Sequence, residues 1–172
     1  YKKLFYGPSE QRSIDTLERM LGEEQYRKVR NSLRDSGLRT GFTCLFYGAP
    51  GTGKTETVYQ LAKKTGRKII VADVSKVKNC FVGESEKSLT KLFDDYRKCV
   101  KTMDIAPILL FNEADAIFGI RQEGAQRAVD KMENSLQNIL LQEMEKLDGI
   151  LIATTNLTQN LDKAFERRFL YK

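Results

Sequence analysis

Histidine is missing from all 172 residues, and with it go the imidazole base, the imidazole proton shuttle and the imidazole metal ligand. Cysteine is scarce. Cys44, Cys80 and Cys99 are odd in number and widely spaced, which excludes a CxxC zinc site and argues against a secreted disulfide framework. Cys44 falls in an apolar run and reads as a small buried side chain. Only three prolines are present, with no Pro- or Ser-rich linker, no low-complexity segment and no internal repeat. No apolar run reaches membrane-spanning length, so no membrane segment is expected, and no signal-peptide pattern opens the chain. The first residue is Tyr1 rather than Met, which reads as a trimmed chain. A reducing cytoplasm is the expected setting.

What is there describes one ordinary globular αβ domain: 41% hydrophobic and 30% charged residues in 172. Lys and Arg number 29 against 23 Asp and Glu, a formal charge of +6. That allows an anionic ligand, an acidic partner or nucleic acid. The acidic residues are spread through the chain, so no basic stripe forms and nucleic acid is not the expected partner.

Residues 1–41 read as an N-terminal helical segment packing on a core. Ser9 is placed as an N-cap after Pro8, with Ile14, Leu17 and Leu21 following at helical spacing. Tyr26, Val29 and Leu33 share one face of a second helix, which Gly37 ends. From Phe42 the period changes. Phe42–Tyr47 reads as a buried strand, followed by a helix from Lys54 to Lys64, a strand over Lys68–Asp73 and a helix from Glu84 to Met103. A strand at Pro107–Phe111, a long helix from Ala125 to Leu147 and a strand at Gly149–Thr155 complete the run. Strands alternating with helices of this length imply a parallel sheet covered on both faces. Phe169, Leu170 and Tyr171 look like the start of a fifth strand.

Gly48-Ala49-Pro50-Gly51-Thr52-Gly53-Lys54-Thr55 matches GxxxxGK[ST] between a strand and a helix, with Glu56 next inside the helix. Glycines let the backbone N–H groups turn inward as an anion nest, and the helix adds its positive end. Lys54 then reaches the β- and γ-phosphates, and the Thr55 hydroxyl is a ligand for Mg²⁺. The pattern specifies a purine nucleoside triphosphate with Mg²⁺. Ile108–Phe111 ends in Asn112 and Glu113, where a carboxylate beside the γ-phosphate activates water. Asn156 closes Ala153-Thr154-Thr155 at another strand end, in the crevice where α/β ligands sit. Arg167 and Arg168 follow a short helical stretch, Asp162–Glu166.

These motifs, in this order, resemble the AAA family of the AAA+ P-loop ATPases over about Phe42–Phe169. GAPGTGKT resembles its Walker A loop, LLFNEAD its Walker B, ATTN its sensor 1, and LDKAFERRF the end of its second region of homology. The short form is closer to katanin- and spastin-like members, and relatives are expected among uncharacterised bacterial AAA proteins. The resemblance implies an α/β fold with a parallel five-stranded sheet flanked by helices. It assigns 42–172 to the large subdomain and implies that the small helical lid lies outside this sequence. It also implies ATP hydrolysis by a homo-oligomeric ring, a hexamer, in which Arg167 and Arg168 act as arginine fingers on the neighbour's γ-phosphate. Phe81-Val82-Gly83 is similar to the substrate-gripping pore loop of members that act on proteins or peptides. Gly119–Gln126, with Arg121 and Arg127, is the candidate for a second.

One departure stands out. Asn112 occupies the position of the family's Walker B aspartate, which holds the metal. An amide keeps an acceptor oxygen and loses a charge, so Mg²⁺ is expected to bind more weakly. The alternatives to a protein-remodelling ATPase are a nucleotide-binding switch or scaffold with little turnover, which Asn112 favours, and a helicase-loader-type motor, which only the +6 charge favours. For the adenine, Phe5 and Tyr6 are the aromatic candidates.

Overall fold

A computed structural model describes residues 2–72, 74, 84–119, 128–157 and 159–172. The first pore-loop candidate, Phe81-Val82-Gly83, lies outside them, as does the second beyond Gly119. Helix α1 spans Pro8–Leu21 and α2 Glu23–Asp35. Strand β1 (Phe42–Tyr47) leads into α3 (Lys54–Thr65) and β2 (Ile69–Ala72). Helix α4 (Glu84–Thr102), β3 (Ile108–Phe111), the one-turn α5 (Asp115–Phe118) and α6 (Ala128–Lys146) follow. Strand β4 (Ile150–Thr155) and the short α7 (Lys163–Glu166) end the described elements.

The four strands are parallel, in the order β1-β4-β3-β2. The fifth strand is present only as its first step: Tyr171 bridges Cys44 in parallel on the free side of β1, and the Leu45 N–H donates to the Tyr171 carbonyl at 2.9 Å. Strands β3 and β4 are buried along their whole length, which is why they read as continuous apolar runs. Alternate residues serve opposite faces. Leu109, Phe111, Leu151 and Ala153 meet Leu89 and Phe93 of α4 and Leu140 and Met144 of α6. Ile108, Leu110, Ile150 and Ile152 meet Leu17 and Leu21 of α1 and Val58 and Leu61 of α3. Phe93 is fully buried and stacks on Phe111 at 5.8 Å. Truncating such a ring costs about 3–5 kcal/mol.

Ser9 is not the cap of α1. Gly7 holds that position with Pro8 as first helical residue, since proline's fixed φ suits N1 and its missing N–H loses nothing there. The Ser9 hydroxyl instead donates to Glu10. At the end of α2, Gly37 takes φ +68, and the Leu38 and Gly37 N–H groups donate back to Leu33 and Arg34. Those two bonds are a Schellman closure, and only glycine adopts that φ at no cost. Val29 does not join the buried face of α2; it is 40% exposed.

Two ionic clamps tie residues 2–41 to the sheet. The Arg67 guanidinium, with its side chain fully buried, donates to the Leu21 and Ala106 carbonyls and to Glu23, and lies over the Tyr26 ring. Desolvation lowers its pKa. Arg30 grips Asp148 through two bonds, Nε to Oδ1 at 2.7 Å and Nη2 to Oδ2 at 2.6 Å. Among the described residues no helix is long and apolar enough to cross a membrane.

Candidate functional site

Parallel strands in register bring their carboxyl ends to one edge. Tyr47 lies beside Thr155, and Phe111 beside Ala153, so the loops after β1, β3 and β4 open onto one crevice. A cavity of about 400 Å³ sits there, lined by the glycine loop, Thr55, Glu113, Asn156, Leu4 and Tyr59.

The loop between β1 and α3 is held by its glycines. Gly51 has φ +77 and Gly53 φ +87, values that a side chain would strain. No side chain caps α3, so its first amide donors remain for a ligand. The Lys54 ammonium folds over the loop, donating to the carbonyls of Gly48 and Ala49 at 2.8 Å each and to Asn156 Oδ1 at 2.9 Å. All of its partners are neutral. A cation ringed by neutral oxygens at the mouth of a glycine nest fits a polyphosphate.

Beside it runs a directed chain of hydrogen bonds. The Glu113 N–H donates to Thr154 Oγ1 at 2.9 Å, and Thr154 Oγ1 donates to Asn112 Oδ1 at 2.8 Å. Thr55 Oγ1 donates to that same oxygen at 2.6 Å. Glu113 is exposed with φ +52, a conformation uncommon outside glycine and kept here by the pairing of its neighbours. Among the described residues no group of three His, Cys, Asp or Glu could hold a metal. A hydroxyl with a nearby carboxylate suits Mg²⁺, which takes few protein ligands when phosphates supply the rest.

Asp115 was not anticipated from the sequence. Its Oδ1 accepts from Thr155 Oγ1 at 2.5 Å and from the Asn156 N–H at 2.8 Å. The only sequence signal was a second carboxylate two residues past Glu113. The expected aromatic wall is also differently built. Phe5 is 84% exposed, and the Tyr6 hydroxyl bonds Thr57 at 2.9 Å; neither lines the cavity. Tyr59 does, one helical turn beyond Thr55, with Leu4 and Lys2 beside it. The N-terminal segment is fastened there because the Lys2 N–H donates to Glu56 Oε1 at 3.0 Å and Gln60 donates to the Lys2 carbonyl at 2.7 Å. Those contacts occupy Glu56, whose pKa is lowered chiefly by the Gln60 amide.

Arg167 and Arg168 stand away from this crevice. The Arg168 carbonyl accepts from Thr43 Oγ1 at 2.7 Å, near the opening of β1. That point lies about 16 Å of strand from Gly48. Arg168 Nη2 pairs with Glu145 Oε1 at 2.5 Å, whereas Arg167 is exposed at the end of α7. Cys44 is buried, and its thiol is pushed up to about 12 by desolvation.

A family model described as "ATPase family associated with various cellular activities (AAA)" matches residues 44–172. The chain is similar to an uncharacterized AAA family ATPase, y4kL, of Sinorhizobium fredii, at 31% identity over 149 residues, covering 85% of this chain and 42% of that protein. It is similar to a ribosome biogenesis ATPase, RIX7, of Saccharomyces cerevisiae, at 36% identity over 129 residues, covering 72% of this chain and 15% of that protein. A vesicle-fusing ATPase of Caenorhabditis elegans is 33% identical over 132 residues, covering 72% of this chain and 16% of that protein. The chain thus spans less than half the length of each of these relatives.

Proposed function

The chain belongs to the AAA family of ATPases, and from that premise we propose that it binds ATP with Mg²⁺ and hydrolyses it to ADP and phosphate. The observation that carries the reading is the Lys54 ammonium on a glycine loop, hydrogen-bonded to neutral oxygens alone. The backbone of Gly48–Gly53 cradles the phosphates, Lys54 meets the β- and γ-oxygens, and Leu4 and Tyr59 hold the base. Glu113 takes a proton from the attacking water as its oxygen joins the γ-phosphorus and the bond to the β,γ-bridging oxygen breaks. Asn156 orients that water or the γ-phosphate from the end of β4. Thr55, with Asn112 behind it, would hold Mg²⁺, whose charge offsets that of the phosphates.

Arg167 and Arg168 sit too far along β1 to serve their own crevice, which favours action on a neighbouring subunit. The assembly in this reading is a homo-oligomeric ring, six-membered by resemblance, that remodels or threads a protein or peptide substrate gripped at Phe81-Val82-Gly83. Relatives named for vesicle fusion and ribosome biogenesis support the remodelling part. A second reading, a nucleotide-held switch with little turnover, is favoured by Asn112.

Three measurements on the full-length protein test the proposal. Lys54→Ala is expected to weaken ATP binding by about 100-fold, the equivalent of one or two charge-assisted hydrogen bonds. Glu113→Gln is expected to retain ATP and lose turnover by at least about 100-fold. Wild-type ATP binding without turnover at saturating Mg²⁺ would move the assignment to the switch.

A further inference from the structure

Strand β3 ends at Phe111, beside Ala153, while β4 runs on to Thr155. The chain leaving β3 therefore passes Thr154 with the ladder between the two strands already ended. Thr154 takes hold of three consecutive residues there. Its hydroxyl donates to Asn112 Oδ1 at 2.8 Å, and the Glu113 N–H donates to the same hydroxyl oxygen at 2.9 Å. Its carbonyl accepts from the Ala114 N–H at 2.9 Å. Thr154 is 1% exposed, so solvent does not replace a lost partner. The directions are forced. An amide oxygen has no proton to give and Asn112 Oδ1 already accepts from Thr55, so the one hydroxyl proton of Thr154 goes to Asn112 and a lone pair is left for Glu113. Glu113 is the residue on which this bears. It is exposed, with φ +52, and among the described residues no hydrogen bond or ion pair holds its carboxylate. The aim of that carboxylate is therefore set from behind, by the backbone of its own residue.

We propose that Thr154 is a positioning residue for hydrolysis: its hydroxyl and carbonyl hold the left-handed turn at Glu113, and that turn aims the carboxylate at the attacking water. The inference rests on the reading of Glu113 as the base. A side chain disfavours φ +52, so Glu113 keeps that conformation only while its own N–H and the next are both held, and Thr154 holds both. Thr154 also lines the cavity, but its proton is committed to Asn112, so it acts through Glu113 rather than on a phosphate. Without the hydroxyl the Glu113 N–H is stranded. The peptide then finds another acceptor by leaving the left-handed region, and the carboxylate moves with it. A base must stand within hydrogen-bond reach of the water it activates, and a misplacement of about 1 Å costs up to about 100-fold in rate. The phosphate cradle of Gly48–Gly53 and Lys54 shares none of these three bonds, so nucleotide binding is spared.

The test compares Thr154→Val and Thr154→Ser in the full-length protein. Valine keeps a branched shape suited to a strand and removes the hydroxyl; serine keeps the hydroxyl. Thr154→Ala, which lacks the hydroxyl and cannot overfill the site, is run in parallel in case valine does not fold. Thr154→Val is expected to lower the single-turnover rate of ATP hydrolysis by about tenfold to 100-fold, with the Kd for ATP changed by less than about threefold. Thr154→Ser is expected to bring the rate back to within about threefold of the parent. On a Glu113→Gln background, Thr154→Val is expected to cost nothing further, because the group it positions is already gone. Melting temperature and assembly are measured for every variant. A full rate in both Thr154→Val and Thr154→Ala overturns the proposal, as does a loss that serine does not restore or one that multiplies on Glu113→Gln. A loss that disappears at high Mg²⁺ places Thr154 behind the metal through Asn112 and overturns its action on Glu113. Parental turnover in Glu113→Gln alone overturns the reading of Glu113 as the base, which is a separate failure.

Discussion

Thr55 and Asn112 are joined by a 2.6 Å hydrogen bond in which the threonine hydroxyl donates to the amide oxygen. The same oxygen also accepts from Thr154 at 2.8 Å, and Thr154 is itself fixed as an acceptor by the Glu113 N–H. Both lone pairs of the Asn112 oxygen are therefore used, and its other polar atom is an NH₂ donor. A carboxylate at this position would keep the two hydroxyl bonds and offer a second oxygen to the hydration shell of a cation. The amide offers hydrogens of the wrong sign.

Asn112→Asp is therefore expected to tighten the apparent Mg²⁺ requirement of nucleotide binding by about tenfold, since a full charge is restored beside the cation. Titrating Mg²⁺ against a fixed nucleotide concentration reads this directly, by binding as well as by turnover. An unchanged midpoint would show that Asn112 does not influence the metal.

Tyr59 lines the crevice from one turn beyond Thr55, and it is 37% exposed. Replacing it with alanine is expected to weaken ATP by about tenfold, the scale of one stacking contact. Pyrophosphate, which has no base, should compete equally well in both proteins. Equal loss for ATP and pyrophosphate would place Tyr59 under the loop rather than beside the base.

Asp148 gives a stability that depends on acid. The Arg30 guanidinium, and after it Thr40, hold its carboxyl below the usual carboxylate range. A group whose pKa is depressed by folding stabilises the protein above its unfolded value, near 3.9, and that contribution fades as pH falls through the folded value. Asp148→Asn should thus cost about 1 kcal/mol at pH 7, a modest figure because the carboxylate is 40% exposed. The two unfolding curves should converge below about pH 3. A gap that persists in acid would point to packing rather than charge.

Much of this protein is local and was legible as such. The FTCLFY, ILLF and ILIATT runs are strands because β-branched, aromatic and aliphatic residues fit a sheet buried on both sides. GAPGTGKT announces its own loop, because glycines permit the backbone that the cradle needs. Ser9 has the chemistry of a cap, but Pro8 suits N1 and leaves the cap position to Gly7. Phe5 faces solvent instead of the crevice, because residue type alone does not fix which way a side chain points.

Chain order alone therefore determined the element types, the glycine loop and the residues that end each strand, all of which follow from backbone preference and short-range spacing. The tertiary structure decided the pairings. That Asn112 sits between Thr55 and Thr154, that Asp115 holds Asn156, that Arg168 meets Glu145 and that Leu4 reaches the crevice all depend on the order β1-β4-β3-β2. Burial energy selects that order across the whole core, and it leaves no trace in the spacing of residues along the chain.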